Sequence, residues 1–249
     1  MSELTQRTAL ITGASRGIGA AIAQKLAEEG YRLTLSARRE PGLRDTAERL
    51  RDQTGAEIHT VAANMAVEDD VRALLASHAA QFGQLDVLVL NAGVGTLGLV
   101  ADLPTKMFDL AINVNLRAQF ILIQEALPLL RKTAASAPDR GAKIIALASI
   151  TGVASEAQLS AYGASKAALI SLCETVTLEE SVNGVTASAI SPGYVDTDMA
   201  QWKHDAVAPS EMLAANDVAE LAAAISRLSV NAVVPNIVVS RRGAQIWRA

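Results

Sequence analysis

The chain has 249 residues, a formal net charge of −4 and a single cysteine, Cys173. One cysteine can neither form a bridge within the chain nor build a cysteine-based metal site, and a slightly acidic chain with scattered cations lacks the attraction that dominates nucleic-acid affinity. No apolar run reaches the ~20 residues of a membrane span and the polar start, Met1 to Arg7, does not read as a signal sequence, so a cytoplasmic protein that binds neither membrane nor nucleic acid is expected.

In chain order, short runs rich in Val, Ile, Leu and Ala read as buried strands: Thr8–Ile11, Leu33–Leu35, Ile58–Ala62, Val87–Leu90, Ile144–Ala148, Val185–Ile190 and Val233–Val239. Segments with helical periodicity lie between most of them: Ile18–Glu28, Leu43–Gln53, Val71–Gln81, Pro104–Leu130, Tyr162–Val182 and Asp217–Leu228. This alternation predicts an α/β fold with a mainly parallel sheet and helices on both faces. No linker, repeat or low-complexity tract divides residues 1–249, so one domain is expected. Lys132–Arg140 reads as a surface loop, and Trp202–Pro209 as a mobile segment or lid within a substrate loop at about 194–212.

The first strand runs into TGASRGIG, Thr12 to Gly19, and a helix opens there. Glycines at 13, 17 and 19 let the chain turn sharply and let a pyrophosphate approach the backbone, while the helix N-terminus offers free N–H groups and a partial positive charge. The spacing differs from Gly-x-Gly-x-x-Gly, but the physics is the same. A purely structural turn is the alternative, and placement between a strand and a helix weighs against it. Where an NAD site usually carries Asp or Glu after the second strand, this chain has Ala37, Arg38 and Arg39, and Arg16 sits in the turn itself. Guanidinium groups bind phosphate bidentately, so NADP(H) is the expected cofactor.

Tyr162 and Lys166 are four apart in a helical segment and so share one face. A phenol with a pKa near ~10 needs a shift of about three units, roughly 4 kcal/mol, to carry a proton near neutrality. A lysine cation about 4 Å away at an effective dielectric of ~20 supplies about that much, so Lys166 is expected to lower the Tyr162 pKa. Taken alone, such a pair is more often ordinary helix surface.

Together these residues resemble the short-chain dehydrogenase/reductase family, over nearly the whole chain: TGASRGIG, NAG at Asn91–Gly93, NVN at Asn113–Asn115, Ser149, YGASK at Tyr162–Lys166 and SPGYVDTDM at Ser191–Met199 occur in the family's order, with Ser149 thirteen residues before Tyr162. The resemblance implies a Rossmann-type doubly wound, seven-stranded sheet and an NADP(H)-dependent oxidoreductase interconverting a carbonyl and an alcohol. It implies Tyr162 as general acid in reduction and base in oxidation, Lys166 as its pKa modulator and ribose ligand, Ser149 as hydrogen-bond donor to the substrate oxygen, and Asn115 as holder of a relay water. Cofactor contacts are implied for Gly13, Ser15, Arg16, Gly17, Ile18 and Gly19, for Arg38, for Asn64 and Met65, for Asn91, Ala92 and Gly93, for Tyr162 and Lys166, and for Pro192, Gly193, Val195 and Thr197. Thr197 and Asp198 also read as a helix cap.

The implied partners are a small carbonyl or alcohol substrate, either a 3-oxoacyl thioester or a mid-sized apolar ketone, and further copies of the chain in a dimer or tetramer. Val94–Leu99, Ile150–Leu159 and Tyr194–Trp202 are the expected pocket walls, and Lys203 and His204 are the cations that would meet an acidic substrate. A non-catalytic NADP-binding sensor is the alternative, against which the intact Ser149, Tyr162 and Lys166 argue. Two stretches depart from the family pattern. Asn64-Met65 stands where an aspartate commonly contacts the adenine, and PNIVVSRRGAQIW, from Pro235 to Trp247, replaces the Val-Asp-Gly-Gly segment of many acyl-carrier reductases, so neither that subtype nor the tetramer follows from the match. His59, His78 and His204 share no metal-ligand spacing, and no metal site is expected.

Overall fold

The computed structural model describes residues 6–243. Seven strands, β1 (Thr8–Thr12), β2 (Arg32–Ala37), β3 (Ile58–Ala62), β4 (Val87–Leu90), β5 (Ala142–Leu147), β6 (Val185–Pro192) and β7 (Asn236–Val239), pair in parallel in the order β3-β2-β1-β4-β5-β6-β7. The helices are α1 (Gly17–Glu28), α2 (Glu40–Thr54), α3 (Glu68–Phe82), α4 (Thr105–Ile112), α5 (Ala118–Ser136), α6 (Ser160–Glu180) and α7 (Ala215–Arg227). The result is a single α/β domain with the parallel sheet that the alternation predicted and the Rossmann-type, seven-stranded form that the family resemblance implied.

Side chains on a strand alternate between its two faces, and both faces here are apolar. Ala9, Ile11, Val87, Val89, Ile145 and Leu147 pack with Ile22 and Leu26 of α1, Leu43 and Leu50 of α2, and Val218 and Ala222 of α7. Leu10, Leu88, Leu90, Ile144 and Ala146 face the other way, onto Val71 and Leu74 of α3, Leu122 and Ala126 of α5, and Leu169 and Cys173 of α6. Cys173 is fully buried, and burial pushes its thiol up to about 12. The strand order reverses between β1 and β4, which opens a crevice at their carboxyl ends, the position where sheets of this kind bind ligands.

Three expectations need correction. The single helix expected over Pro104–Leu130 is interrupted by a π-turn, Asn113–Arg117, and its second part runs on to Ser136. That extension absorbs half of the expected Lys132–Arg140 loop, because Leu130, Thr133 and Ala134 continue the buried stripe and the Thr133 hydroxyl accepts from the Leu85 N–H at 2.9 Å. β7 starts at Asn236 rather than Val233, since Pro235 has no N–H and offers the ladder only its carbonyl, which accepts from Ala189 N at 3.0 Å. Among the described residues, no helix is long and apolar enough to cross a membrane and no cluster of His, Cys, Asp and Glu could hold a metal ion.

His78 is structural. Its Nε2 lies 2.9 Å from the Gln84 carbonyl, which can only accept, so Nε2 carries the proton and Nδ1 accepts the Thr34 hydroxyl at 2.8 Å. The ring is neutral and satisfied, and burial lowers its pKa from 6.5 to about 4. A base depressed in this way stabilises the fold fully above its unfolded pKa, and that stability drains away as pH falls from 6.5 through about 4. The loss amounts to about 3 kcal/mol. Urea unfolding at pH 7 and pH 4 should therefore show a steeper decline for the wild type than for His78→Gln, and parallel declines would remove His78 from the acid response.

Candidate active site

The crevice at the β1/β4 reversal is a cleft of about 910 Å³. Its floor begins at the glycine turn. Gly13 and Gly17 have φ of +66° and +55°, the left-handed region where a side chain is strained. Gly19 serves differently, for a Cβ there would lie 2.3 Å from the Gly13 carbonyl and 2.4 Å from Asn91 Nδ2. It lets α1 pack against the turn from behind, where Gly13, Gly17 and Ile18 line the cleft.

Asn91 and Thr12 brace the reversal. Asn91 Nδ2 donates to the carbonyls of Thr12 at 2.9 Å and Gly13 at 3.0 Å, while the Thr12 hydroxyl accepts from the N–H groups of Asn91 and Ala92, both at 3.0 Å, and donates to the Val89 carbonyl at 3.2 Å. The Asn91 amide is thus spent on holding the turn. Thr12 had drawn no attention in the sequence, because a strand-end threonine has no pattern of its own.

Opposite the turn, Ser149, Tyr162 and Lys166 line the same cleft. Ser149 Oγ accepts from the Thr151 N–H at 3.2 Å and the Thr151 hydroxyl at 2.9 Å. A hydroxyl has two acceptor sites and one proton, so with Thr151 in the acceptor sites the proton is directed to the Tyr162 phenol. The 3₁₀ turn Ile150–Gly152 rests directly on α6: a Cβ on Gly152 would sit 2.8 Å from the backbone of Lys166 and Ala167, and one on Gly163 3.0 Å from the Thr151 carbonyl. These two glycines set the distance between Ser149 and the helix that carries Tyr162.

The electrostatics differ from the expectation. Lys166 Nζ donates to the Leu147 carbonyl at 2.6 Å and lies 5.7 Å from the centroid of the Tyr162 ring. Burial lowers the lysine to about 8 and raises the phenol above its ordinary value, with a Ser149 hydrogen bond pulling the phenol partway back. Residues four apart do share a face, but the ammonium is tied to the end of β5. Asn115 is fully buried behind the wall: Oδ1 accepts from Val94 N at 2.8 Å, and Nδ2 donates to the Val94 carbonyl and Ser165 Oγ, both at 3.0 Å. Ser165 Oγ donates onward to the Tyr162 carbonyl at 2.7 Å, so the π-turn carrying Asn115 links the loop after β4 to α6. A Cβ on Gly93 would meet Asn115 Oδ1 at 3.2 Å and Lys166 Nζ at 3.5 Å.

The other expected positions on the wall are Gly13, Ser15, Arg16, Gly17 and Ile18, then Arg38, Asn64, Met65, Asn91, Ala92 and Gly93, and finally Pro192, Gly193, Val195 and Thr197. Arg16, read as a phosphate ligand, pairs instead with Asp198 at 2.6 Å. Arg38 is exposed on the rim, and its guanidinium has no ion pair among the described residues. Asn64 Oδ1 accepts from Ala66 N at 3.1 Å and so shapes the turn it sits in. Thr197 precedes a short 3₁₀ helix, Asp198–Lys203, but does not cap it; its hydroxyl donates to Val195 O at 3.3 Å, and its methyl faces Gly17. Val94–Leu97, Ile150, Thr151, Leu159, Tyr194, Met199 and Trp202 form an apolar flank, whereas Lys203 is held by Glu156 at 3.1 Å and is not free for an acidic substrate.

Comparison with known proteins gives a consistent picture. A family model described as short chain dehydrogenase matches residues 7–208. A 3-oxoacyl-(acyl-carrier-protein) reductase FabG of Staphylococcus aureus (strain Mu50) is 35% identical over 196 residues, covering 78% of this chain and 76% of its own. Among solved structures, an alcohol dehydrogenase from the archaeon Thermococcus sibiricus complexed with 5-hydroxy-NADP superposes with a TM-score of 0.86 at 28% identity, covering 96% of this chain and 98% of its own. A 3-ketoacyl-(acyl-carrier-protein) reductase from Brucella melitensis complexed with NADH superposes at 0.83 with 25% identity, covering 96% and 98%.

The glycine contact beneath Ser149 can be probed directly. Gly152→Ala adds one methyl against backbone that cannot retreat, and should lower stability by about 1–3 kcal/mol. Thermal unfolding checks this, and an unchanged Tm would show that the turn has room to shift.

Proposed function

The chain belongs to the short-chain dehydrogenase family and is an oxidoreductase, and on that premise we propose that it interconverts a carbonyl and a secondary alcohol with NADP(H). The observation that carries this reading is that Ser149, Tyr162 and Lys166 share one cleft with the Gly13–Gly17 turn. The turn and the N-terminus of α1 suit a pyrophosphate, and the basic rim with no carboxylate at the end of β2 suits a 2′-phosphate. The relatives, one with 5-hydroxy-NADP and one with NADH, leave the choice of dinucleotide to such local residues. Arg38 is the cation available for the phosphate, while Arg16 would have to leave Asp198 to join it.

The bound nicotinamide would supply or accept the hydride. Tyr162 would give its proton to the carbonyl oxygen in reduction. Ser149, with both acceptor sites taken by Thr151, would direct its proton to the same oxygen and stabilise the charge that builds there. Lys166 has one N–H engaged by Leu147, which leaves two for the ribose and for the phenol once it has given up its proton. Asn115 Oδ1 has a second lone pair with which to hold a relay water toward Lys166. The apolar flank, together with the FabG relationship, favours a 3-oxoacyl thioester or an apolar ketone as substrate.

Two variants test this assignment. With NADPH absorbance followed against 3-oxoacyl thioesters, diketones and quinones, Tyr162→Phe should lower turnover by about 10²–10⁴-fold and still bind NADPH; wild-type rates would take the phenol out of the mechanism. Arg38→Ala should raise KM for NADPH by about tenfold or more while leaving KM for NADH near its starting value, as expected when one charged contact of about 1.4 kcal/mol is lost. An unchanged ratio of the two would refute the NADP assignment.

A further inference from the structure

Glu156 lies in the segment between Ser149 and Tyr162 and takes no part in the chemistry above. Its Oε1 accepts both the Tyr194 hydroxyl, at 2.5 Å, and the Lys203 ammonium, at 3.1 Å. Tyr194 is a buried wall of the cleft, and Trp202, at the mouth, meets it edge-on with ring centroids 5.9 Å apart. Lys203 lies over both rings, 5.1 Å from the Tyr194 centroid and 5.0 Å from that of Trp202. One carboxylate oxygen therefore gathers an ammonium and two aromatic rings from the far side of the substrate loop.

The segment bearing Glu156 is itself fixed. Gln158 adopts φ of +69°, a left-handed conformation that costs a non-glycine residue about 1–2 kcal/mol, and its carbonyl accepts from Gly98 N at 2.9 Å. A segment held in a strained conformation at one end is a firm anchor at the other. Among the described residues, the other polar side-chain tie between residues 194–212 and the rest of the chain is Arg16–Asp198, with side chains 76% and 55% exposed, whereas Lys203 and Glu156 are 25% and 26% exposed. Exposed pairs contribute little, so of these side-chain ties the Glu156 contacts weigh the more. Oε2 of Glu156 is buried without a partner, and that unsatisfied oxygen would regain water on opening.

We propose that Glu156 is a positioning residue: it latches the substrate loop, through Tyr194 and Lys203, to the segment that follows Ser149, and so fixes the aromatic wall against which the substrate is held. The inference rests on the carbonyl-reductase reading only in taking Tyr194 and Trp202 as a substrate wall.

The test uses the full chain carrying Trp247→Phe, which leaves Trp202 as the single indole. Glu156→Ala should raise the acrylamide quenching constant of Trp202 about twofold, and Glu156→Gln, which keeps an oxygen for Tyr194, should stay near the parent value. With ethyl acetoacetate as probe ketone, Glu156→Ala and Tyr194→Phe should each raise KM about tenfold with a smaller effect on kcat, and the double variant should be no worse than Glu156→Ala alone, since that change already removes the bond to Tyr194. Equal quenching in Glu156→Ala and its parent overturns the latch, as do additive losses in the double variant. The quenching reads the loop whether or not the ketone is reduced, so a failed latch and a failed reductase reading give different results.

Discussion

The brace between the ends of β1 and β4 is the constraint on which the site depends. A parallel sheet whose order reverses must open a gap at the reversal, because the crossovers on its two sides leave in opposite directions. Thr12 and Asn91 span that gap with side-chain bonds to backbone on both strands. They hold the glycine turn in its left-handed conformations and keep Gly19 close enough for α1 to start where its N–H groups face the cleft. Everything on the glycine-turn side of the cleft inherits its position from these few bonds. The side carrying Ser149 and Tyr162 depends in turn on two glycines that let a 3₁₀ turn rest on α6.

The sequence disclosed the strands well because a sheet buried on both faces turns each strand into an unbroken apolar run. It brought Ser149, Tyr162 and Lys166, which line one cleft, to notice because their order and spacing carry the family signature. What it hid were interactions without periodicity. Arg16 and Asp198 are remote in the chain, so their pairing has no local trace. Thr151 resembles any loop threonine until its two bonds to Ser149 are seen. The π-turn has the composition of the α-helices on either side of it, so a periodicity reading runs straight through it.

The Tyr162–Lys166 pair shows how far a spacing argument reaches. Helix geometry puts both groups on one face, but Coulomb energy depends on where the charged atom ends up. Here the Leu147 carbonyl claims the ammonium, and burial works against charge on both side chains. The chain by itself favours a protonated phenol.

The π-turn at Asn113–Arg117 carries a consequence for how this chain can vary. A wide turn accommodates one more residue than the α-helical pitch allows, and each residue in an α-helix advances the azimuth by about 100°. Deleting a single residue there would let a regular helix run through with the inward stripe of α5, Leu122 and Ala126, still facing the sheet, yet it would pull the Asn115 amide off Val94. Site geometry thus hangs on one surplus position that the core does not need, which leaves the length of this stretch far less free to drift than its amino-acid composition.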